Sequence, residues 1–211
     1  MDITIFKDIK QTARPFYRNI NLILTRIQEG ASKDIVKKIR AEKDKENRNI
    51  LKQKLPAICF SGQFTKRADN AIKEHSGYIC LDFDGYKSNR DLLQEKERLS
   101  KDKFVYSVFI SPSGNGLKVL VKIPPIVDDH KSYFLSLQKY YDSEYFDKTC
   151  KNISRVCYES YDPLIHVNAH SSLWDKIEEQ EYVEVSKHND IPTIPVTDEN
   201  KIIDILCSSK L

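Results

Sequence analysis

Runs of apolar, β-branched and aromatic residues divide this chain into predicted strands. The clearest cover residues 77–83, 104–110 and 117–123. Weaker patterns predict strands over residues 2–6 and 57–60. In residues 117–123 the apolar positions alternate, so one face of that strand is expected to be buried.

Helical segments separate these strands. The pattern predicts helices over residues 19–28, 34–53 (two short helices with a solvated joint), 88–99 and 128–146. Only Ser111 to Gly116 lie between the second and third clear strands, which is too short for a parallel crossover. These strands are therefore expected to form an antiparallel hairpin, whereas the helix at 88–99 allows a parallel crossover before them. The expected fold is α+β, an RRM/ferredoxin-like mixed sheet core with flanking helices.

Length and composition favour one main domain followed by a tail. We expect the domain at residues 1–175, with a helical, basic part at 1–55. Residues 176–211 hold an acidic segment, a linker at 186–200 and the start of a possible further module. The chain has 211 residues and no apolar run of about 20, so no membrane partner is expected. The net charge of +3 does not by itself indicate nucleic-acid binding.

The five cysteines are odd in number and lack C-x-x-C spacing. This usage favours a reducing, cytoplasmic location and gives no sign of a zinc site. The last three residues, Ser-Lys-Leu, spell a peroxisomal address, but a chance ending or the end of a fragment explains them as well.

Two carboxylates stand at the end of the clearest strand. Asp82 and Asp84 are two residues apart, so both project from one face while Phe83 points to the other. Adjacent carboxylates repel each other, and a divalent cation such as Mg²⁺ or Mn²⁺ removes that cost. The alternative is an ordinary acidic turn, since Asp-Gly is a common turn dipeptide.

The predicted hairpin loop has the composition of a phosphate-binding turn. Gly114 and Gly116 allow close backbone approach to a ligand, and Ser111 and Ser113 add hydroxyl groups. Lys118 follows at the start of the returning strand, where its charge could face phosphates. A plain glycine hairpin turn is the alternative.

Two later residues are candidates for the same site. Asp162 would complete a two-metal centre if it converged on Asp82 and Asp84, although Asp-Pro also marks a turn. Arg155 is a candidate partner for an aspartate or a phosphate, or else part of a surface ion pair.

Residues 37–54 hold eight basic and three acidic residues. Such a run is typical of a solvated helical face, and it also suits a surface that follows a nucleic-acid backbone. The candidate nucleic-acid-binding residues are Lys37, Lys38, Arg40, Lys52, Lys54 and, beyond the run, Arg67.

Three segments in order, YICLDFDG, SPSGNGLKV and SRVCYESYDP, resemble the archaeo-eukaryotic primase (prim-pol) superfamily. The chain is most similar to the VirE N-terminal domain of Bacteroidetes proteins and mobile elements, over about residues 50–170, including LPAICFSGQF. The resemblance implies that Asp82, Asp84 and Asp162 bind catalytic metal. It also implies that the loop and Lys118 contact the nucleotide, although many prim-pols have histidine at the lysine position.

The resemblance implies a metal-dependent, template-directed nucleotidyltransferase, a DNA primase or polymerase of a replication or mobile-element system. Its expected partners are a nucleoside triphosphate, template or primer DNA and a helicase-like module. Two alternatives stay open. One is a haloacid-dehalogenase-type phosphatase with Asp82 as nucleophile and Asp84 as general acid; the other is a catalytically inactive nucleic-acid-binding replication module.

Overall fold

The computed structural model describes residues 1–177, and the rest of the predicted tail lies outside the described residues. The strands are β1 Asp2–Phe6, β2 Phe16–Asn19, β3 Ala57–Cys59, β4 Gly62–Phe64, β5 Ile72–His75, β6 Tyr78–Asp84, β7 Val105–Ile110, β8 Gly116–Lys122, β9 Cys157–Tyr158 and β10 His166–Val167. The helices are α1 Ile20–Glu29, α2 Lys33–Ala41, α3 Lys45–Lys52, α4 Asn89–Ser100 and α5 His130–Tyr141. The α+β prediction is confirmed.

The central sheet has the order β10-β7-β8-β6. Strands β7 and β8 form the predicted antiparallel hairpin, and β6 is antiparallel to the other side of β8. Strands β6 and β7 therefore run parallel, with α4 as the crossover between them. After α5 the chain returns to β6, where Phe146 forms an isolated antiparallel bridge with Phe83. The succession β-α-β-β-α-β is ferredoxin-like, with its last strand reduced to this bridge.

This topology bears on one of the alternatives. A haloacid-dehalogenase-type fold is doubly wound, with a helix between successive parallel strands of its sheet. Here β7 passes directly into an antiparallel β8. The fold gives that alternative no support.

The two faces of the central sheet pack against different elements. On one face, Ile79, Leu81 and Phe83 of β6 share a core with side chains of α4 and α5. On the other, Phe109 and Leu120 pack with α1 and the smaller sheet β2-β1-β3-β9. The side chains of Asp82 and Asp84 are on this second face, because they alternate with the buried residues of β6. Strands β4 and β5 form a separate hairpin.

Helix α5 is shorter than predicted. It ends at Tyr141 because Asp142 adopts a left-handed conformation with φ of 37°, and the amide of Asp142 donates to Gln138 O. Residues 142–147 therefore leave the helix and turn back to β6. The predicted pair of short polar helices is confirmed by α2 and α3. Among residues 1–177, no helix combines the length and the apolar character needed to cross a membrane.

Candidate active site

A largely buried ion pair joins the neighbouring strands β6 and β8 near the end of β6. Asp82 and Lys118 are direct cross-strand partners, and Lys118 Nζ contacts Asp82 Oδ2. The lysine and aspartate side chains are only 13% and 14% exposed. Burial opposes the charge on Lys118, but the charges of Asp82 and Asp84 outweigh it and hold the pKa of Lys118 above its usual value.

The carboxylates have unused capacity for a cation. Asp82 Oδ1 is buried and has no hydrogen-bond partner. Asp84 is exposed at the cavity mouth, but the protein around it and the charge of Asp82 raise the pKa of its carboxyl group. An unpaired buried oxygen and two mutually repelling carboxylates fit a divalent cation with oxygen ligands.

A third carboxylate reaches this position from the segment after α5. The amide of Asp147 donates to Asp82 O at 2.8 Å, and the amide of Asp84 donates to Tyr145 O at 2.8 Å. Ligand atoms of Asp82, Asp147 and Cys150 consequently lie within 4.8 Å of one another. Asp147 was not among the predicted site residues. The helix was expected to continue to residue 146, so the return of residues 142–147 to β6 was not foreseen. The signal that could have found it is the Asp142-Ser143 dipeptide, whose residue types favour turns.

Cys150 acts as a donor to Asp147. Burial and the neighbouring Asp147 raise the pKa of Cys150 to about 12, so it remains a thiol at neutral pH. Its Sγ donates to Asp147 Oδ2 at 3.0 Å. Burial opposes the charge on Asp147, but this bond and those from Thr149 hold the pKa of Asp147 below its usual value. The set available to a metal is therefore oxygen-rich, as Mg²⁺ and Mn²⁺ prefer.

The structure does not bring Asp162 together with Asp82 and Asp84. Asp162 does not line the cavity that contains Asp82 and Asp84. Its Oδ2 accepts from Lys96 Nζ at 2.6 Å and from the amide of Ile110 at 2.8 Å, and its Oδ1 accepts from the amide of Leu164 at 3.0 Å. Lys96 thus supplies the positive charge beside Asp162, whereas Asp147 is the aspartate whose ligand atoms lie together with those of Asp82.

The carboxylates form one side of an open cavity of about 500 Å³. Asp82 and Asp84 supply its acidic edge. The other residues that line it are Lys118, Lys52, Arg67 and Arg155, which are basic, Ser111, Ser113, Asn152 and Ser154, which are polar, and Ile9, Pro112, Val156 and Tyr158. Arg155 also lies 3.6 Å from Asp147, between Nη2 and Oδ2. Acidic and basic side chains that line one cavity suit a ligand that carries both a metal ion and a polyphosphate.

The hairpin loop lines this cavity with a serine whose hydroxyl is buried and unpaired. Ser111 is buried, and its Oγ has no hydrogen-bond partner. The loop is closed by Ser111 N donating to Gly116 O at 2.8 Å and Gly114 N donating to Ser111 O at 3.0 Å. Gly116 has no room for a side chain, because a Cβ there would lie 2.0 Å from Asp84 Oδ1. The loop therefore packs against the acidic edge.

The segment at residues 160–162 and the side chain of Arg40 hold the start of the loop by hydrogen bonds. Ser160 Oγ donates to Ile110 O at 2.6 Å, and Asp162 accepts from the amide of the same residue. Arg40 Nη2 donates to Ser111 O at 3.1 Å and to Tyr161 O at 2.9 Å. The role of Arg40 in nucleic-acid binding stays a prediction: the residue is exposed, but its guanidinium already donates to these two backbone carbonyls.

The other predicted nucleic-acid-binding residues fall into two groups. Lys52 and Arg67 line the cavity with the predicted nucleotide-binding residues. Lys37, Lys38 and Lys54 are exposed on or beside α2 and α3. Arg40, the sixth of the predicted residues, is exposed as well.

Comparisons with known proteins add a family assignment. No curated protein and no solved structure matches the chain. The model of one family, described as BT4734-like, N-terminal domain, matches residues 50–166, which is more than half of the 211 residues. The match spans β3 to the start of β10 and so includes Asp82, the hairpin loop and Asp147. The chain belongs to the BT4734-like N-terminal domain family.

Proposed function

We propose that this domain is a metal-dependent nucleotidyltransferase of the prim-pol type, related to the VirE N-terminal domain, that adds nucleotides to DNA. One observation carries the proposal. A single cavity is lined by Asp82, Asp84 and Ser111, whose hydroxyl is buried and unpaired, and the carboxylate of Asp147 lies beside that of Asp82. The ferredoxin-like topology and the three motifs in order support the same assignment.

Each part of the cavity suits one part of the reaction. Asp82 and Asp147, with Asp84 at the rim, would hold Mg²⁺ or Mn²⁺. The bound ion would stabilise negative charge on the phosphate oxygens. The loop and Ser111 would orient the triphosphate, and Lys52, Arg67 and Arg155 would neutralise its charge. A DNA hydroxyl held near Asp82 and Asp84 would attack the α-phosphate. Pyrophosphate would then leave past the basic residues of the cavity.

The protein's own groups would therefore mainly position substrates and compensate charge. Three exposed lysines on or beside α2 and α3, Lys37, Lys38 and Lys54, would bind the DNA backbone. On the cysteine usage we further propose a cytoplasmic location, and on the resemblance a role in replication or in a mobile element, beside a helicase-like module.

The test is incorporation of labelled nucleotides on a primed DNA template with Mn²⁺. We expect activity from the wild-type protein and a loss of about 10²-fold or more in Asp82→Asn, because a metal ligand supplies several kcal/mol of transition-state stabilisation. Asp91→Asn, an exposed change on α4, serves as the control and should keep wild-type activity. Full activity in Asp82→Asn would contradict the proposal.

A second candidate is an inactive nucleic-acid-binding module, and the Lys118–Asp82 pair favours it. Lys118 neutralises a carboxylate that an active site would give to a metal. This candidate predicts DNA binding without incorporation of any nucleotide, even in Mn²⁺. The same assay, run beside a DNA-binding measurement, separates the two candidates.

A further inference from the structure

We propose that the carboxylate cluster takes one divalent cation rather than two, because the ammonium of Lys118 occupies the place of the second. This inference rests on the proposed function, in which Asp82 and Asp147 hold a divalent cation. It concerns how many ions the cluster accepts and which side chain replaces the missing one.

The position of Lys118 is fixed by the sheet. As the direct cross-strand partner of Asp82, it has its Cβ within about 5.5 Å of the aspartate Cβ. Its side chain is largely buried and also borders a small cavity with Cys80 and Cys157. The ammonium is thereby held on Asp82 Oδ2 and has little freedom to withdraw from it.

A two-metal centre needs the oxygen that Lys118 covers. Metals in such centres are about 3.5–4 Å apart, and a shared carboxylate gives one oxygen to each. Asp82 is the residue suited to this role, since it neighbours Asp84 on β6 and Asp147 across the bridge. Its Oδ2 is taken by Lys118, whereas Oδ1 is buried and unpartnered. One oxygen remains, and it suits one ion.

The basic side chains around the cluster also favour one ion over two. Lys118 faces Asp82, Lys52 interacts electrostatically with Asp84, and Arg155 lies 3.6 Å from Asp147. Each carboxylate therefore already has a basic side chain near it. A second divalent ion beside Asp82 would be repelled by the ammonium that it has to displace.

The experiment counts Mn²⁺ ions per folded chain by calorimetry and records the electron paramagnetic resonance spectrum. Samples contain Mn²⁺ alone or with a non-reacting nucleoside triphosphate analogue. We expect one ion on the wild-type protein and a spectrum without exchange coupling.

Lys118→Met should bind two ions, with the coupled spectrum of metals that share a carboxylate. Lys118→Arg should bind one, because it keeps the charge. Lys87→Met, the control, removes the charge of an exposed lysine and should also bind one.

Two ions or a coupled spectrum on the wild-type protein would overturn the inference, whether or not any variant folds. A single ion on folded Lys118→Met, checked by circular dichroism, would overturn it as well. If neither the wild-type protein nor Lys118→Met binds Mn²⁺, the proposed function itself fails, and the inference with it.

Discussion

The backbone amide of Asp147 donates a 2.8 Å hydrogen bond to the carbonyl oxygen of Asp82, near the end of strand β6 in the central sheet. This bond takes the place of a full edge strand and brings the two carboxylates together. Asp147 thereby becomes the third acidic residue of the candidate site, the role that the sequence analysis gave to Asp162.

Asp147→Asn should impair metal binding without unfolding the domain. The amide side chain keeps the size of the aspartate but loses the charge that a hard cation needs. We expect Mn²⁺ affinity to fall by about tenfold or more and nucleotide incorporation to fall with it. Calorimetry and the primed-template assay measure the two effects. Wild-type affinity in the folded variant would remove Asp147 from the metal site.

Asp162→Asn should impair stability and leave metal affinity nearly unchanged. Its side chain and that of Lys96 are 3% and 10% exposed, so the substitution leaves a buried ammonium without its charge partner. Loss of one partner of such a pair costs about 3–5 kcal/mol. Urea unfolding measures the loss, and adding Lys96→Met should recover most of it. A large loss of Mn²⁺ affinity in folded Asp162→Asn would restore its original assignment.

Gly116→Ala should disturb the acidic edge by steric conflict alone. The new Cβ would lie 2.0 Å from Asp84 Oδ1 and 2.8 Å from Phe83 O. Gly85→Ala is the matched control: its φ of 92° strains an alanine by roughly 1–2 kcal/mol, but no atom lies within 4 Å of the Cβ position. We expect Mn²⁺ affinity to fall in the first variant only. Equal affinity in both variants would contradict the geometry at Gly116.

The buried histidine pair should make the domain sensitive to acid. Gly77 N donates to His75 Nδ1, which leaves His75 Nε2 to donate to His130 Nδ1 at 3.0 Å. Burial lowers the pKa of His75 to about 4 and, together with His75, that of His130 to about 3. Asp69 is the nearby acidic group, and its charge opposes the shift at His130 only in part.

These lowered pKa values determine how the folding stability changes with pH. Between the unfolded pKa of about 6.5 and the folded values, protons bind the unfolded chain and not the folded one. Stability from this pair is therefore complete above about pH 6.5 and falls as the pH drops toward 4. Urea unfolding from pH 7 to pH 4 should show a flatter pH dependence in the double variant His75→Gln/His130→Gln. An unchanged slope would mean that other groups cause the acid sensitivity.

The exposed lysines beside α2 and α3 should contribute to DNA binding through phosphate contacts. Replacing Lys37, Lys38 and Lys54 with alanine should lower the slope of log affinity against log salt by up to about 3, since each contact contributes about 0.9. A triple variant of exposed lysines elsewhere, Lys7, Lys103 and Lys131, is the control. The same slope in both triple variants would exclude this surface.

The sequence alone determined the local geometry around Asp82. Strand periodicity put Asp82 and Asp84 on one face, with Phe83 buried on the other, because side chains alternate along a strand. The shortness of the loop fixed the β7–β8 hairpin, since no parallel connection fits six residues. The positions of the loop serines and of Lys118 followed from that hairpin.

Only the tertiary structure decided which distant carboxylate joins this pair. Asp147 and Asp162 both occur in turns. The residues next to them in the sequence do not indicate that Asp147 lies beside Asp82 and Asp162 beside Lys96. That choice depends on where α5 ends and on the packing of α4, which are set by contacts between residues far apart in the chain. The pairing of Lys118 with Asp82 rather than with solvent was settled in the same way, by strand register and burial.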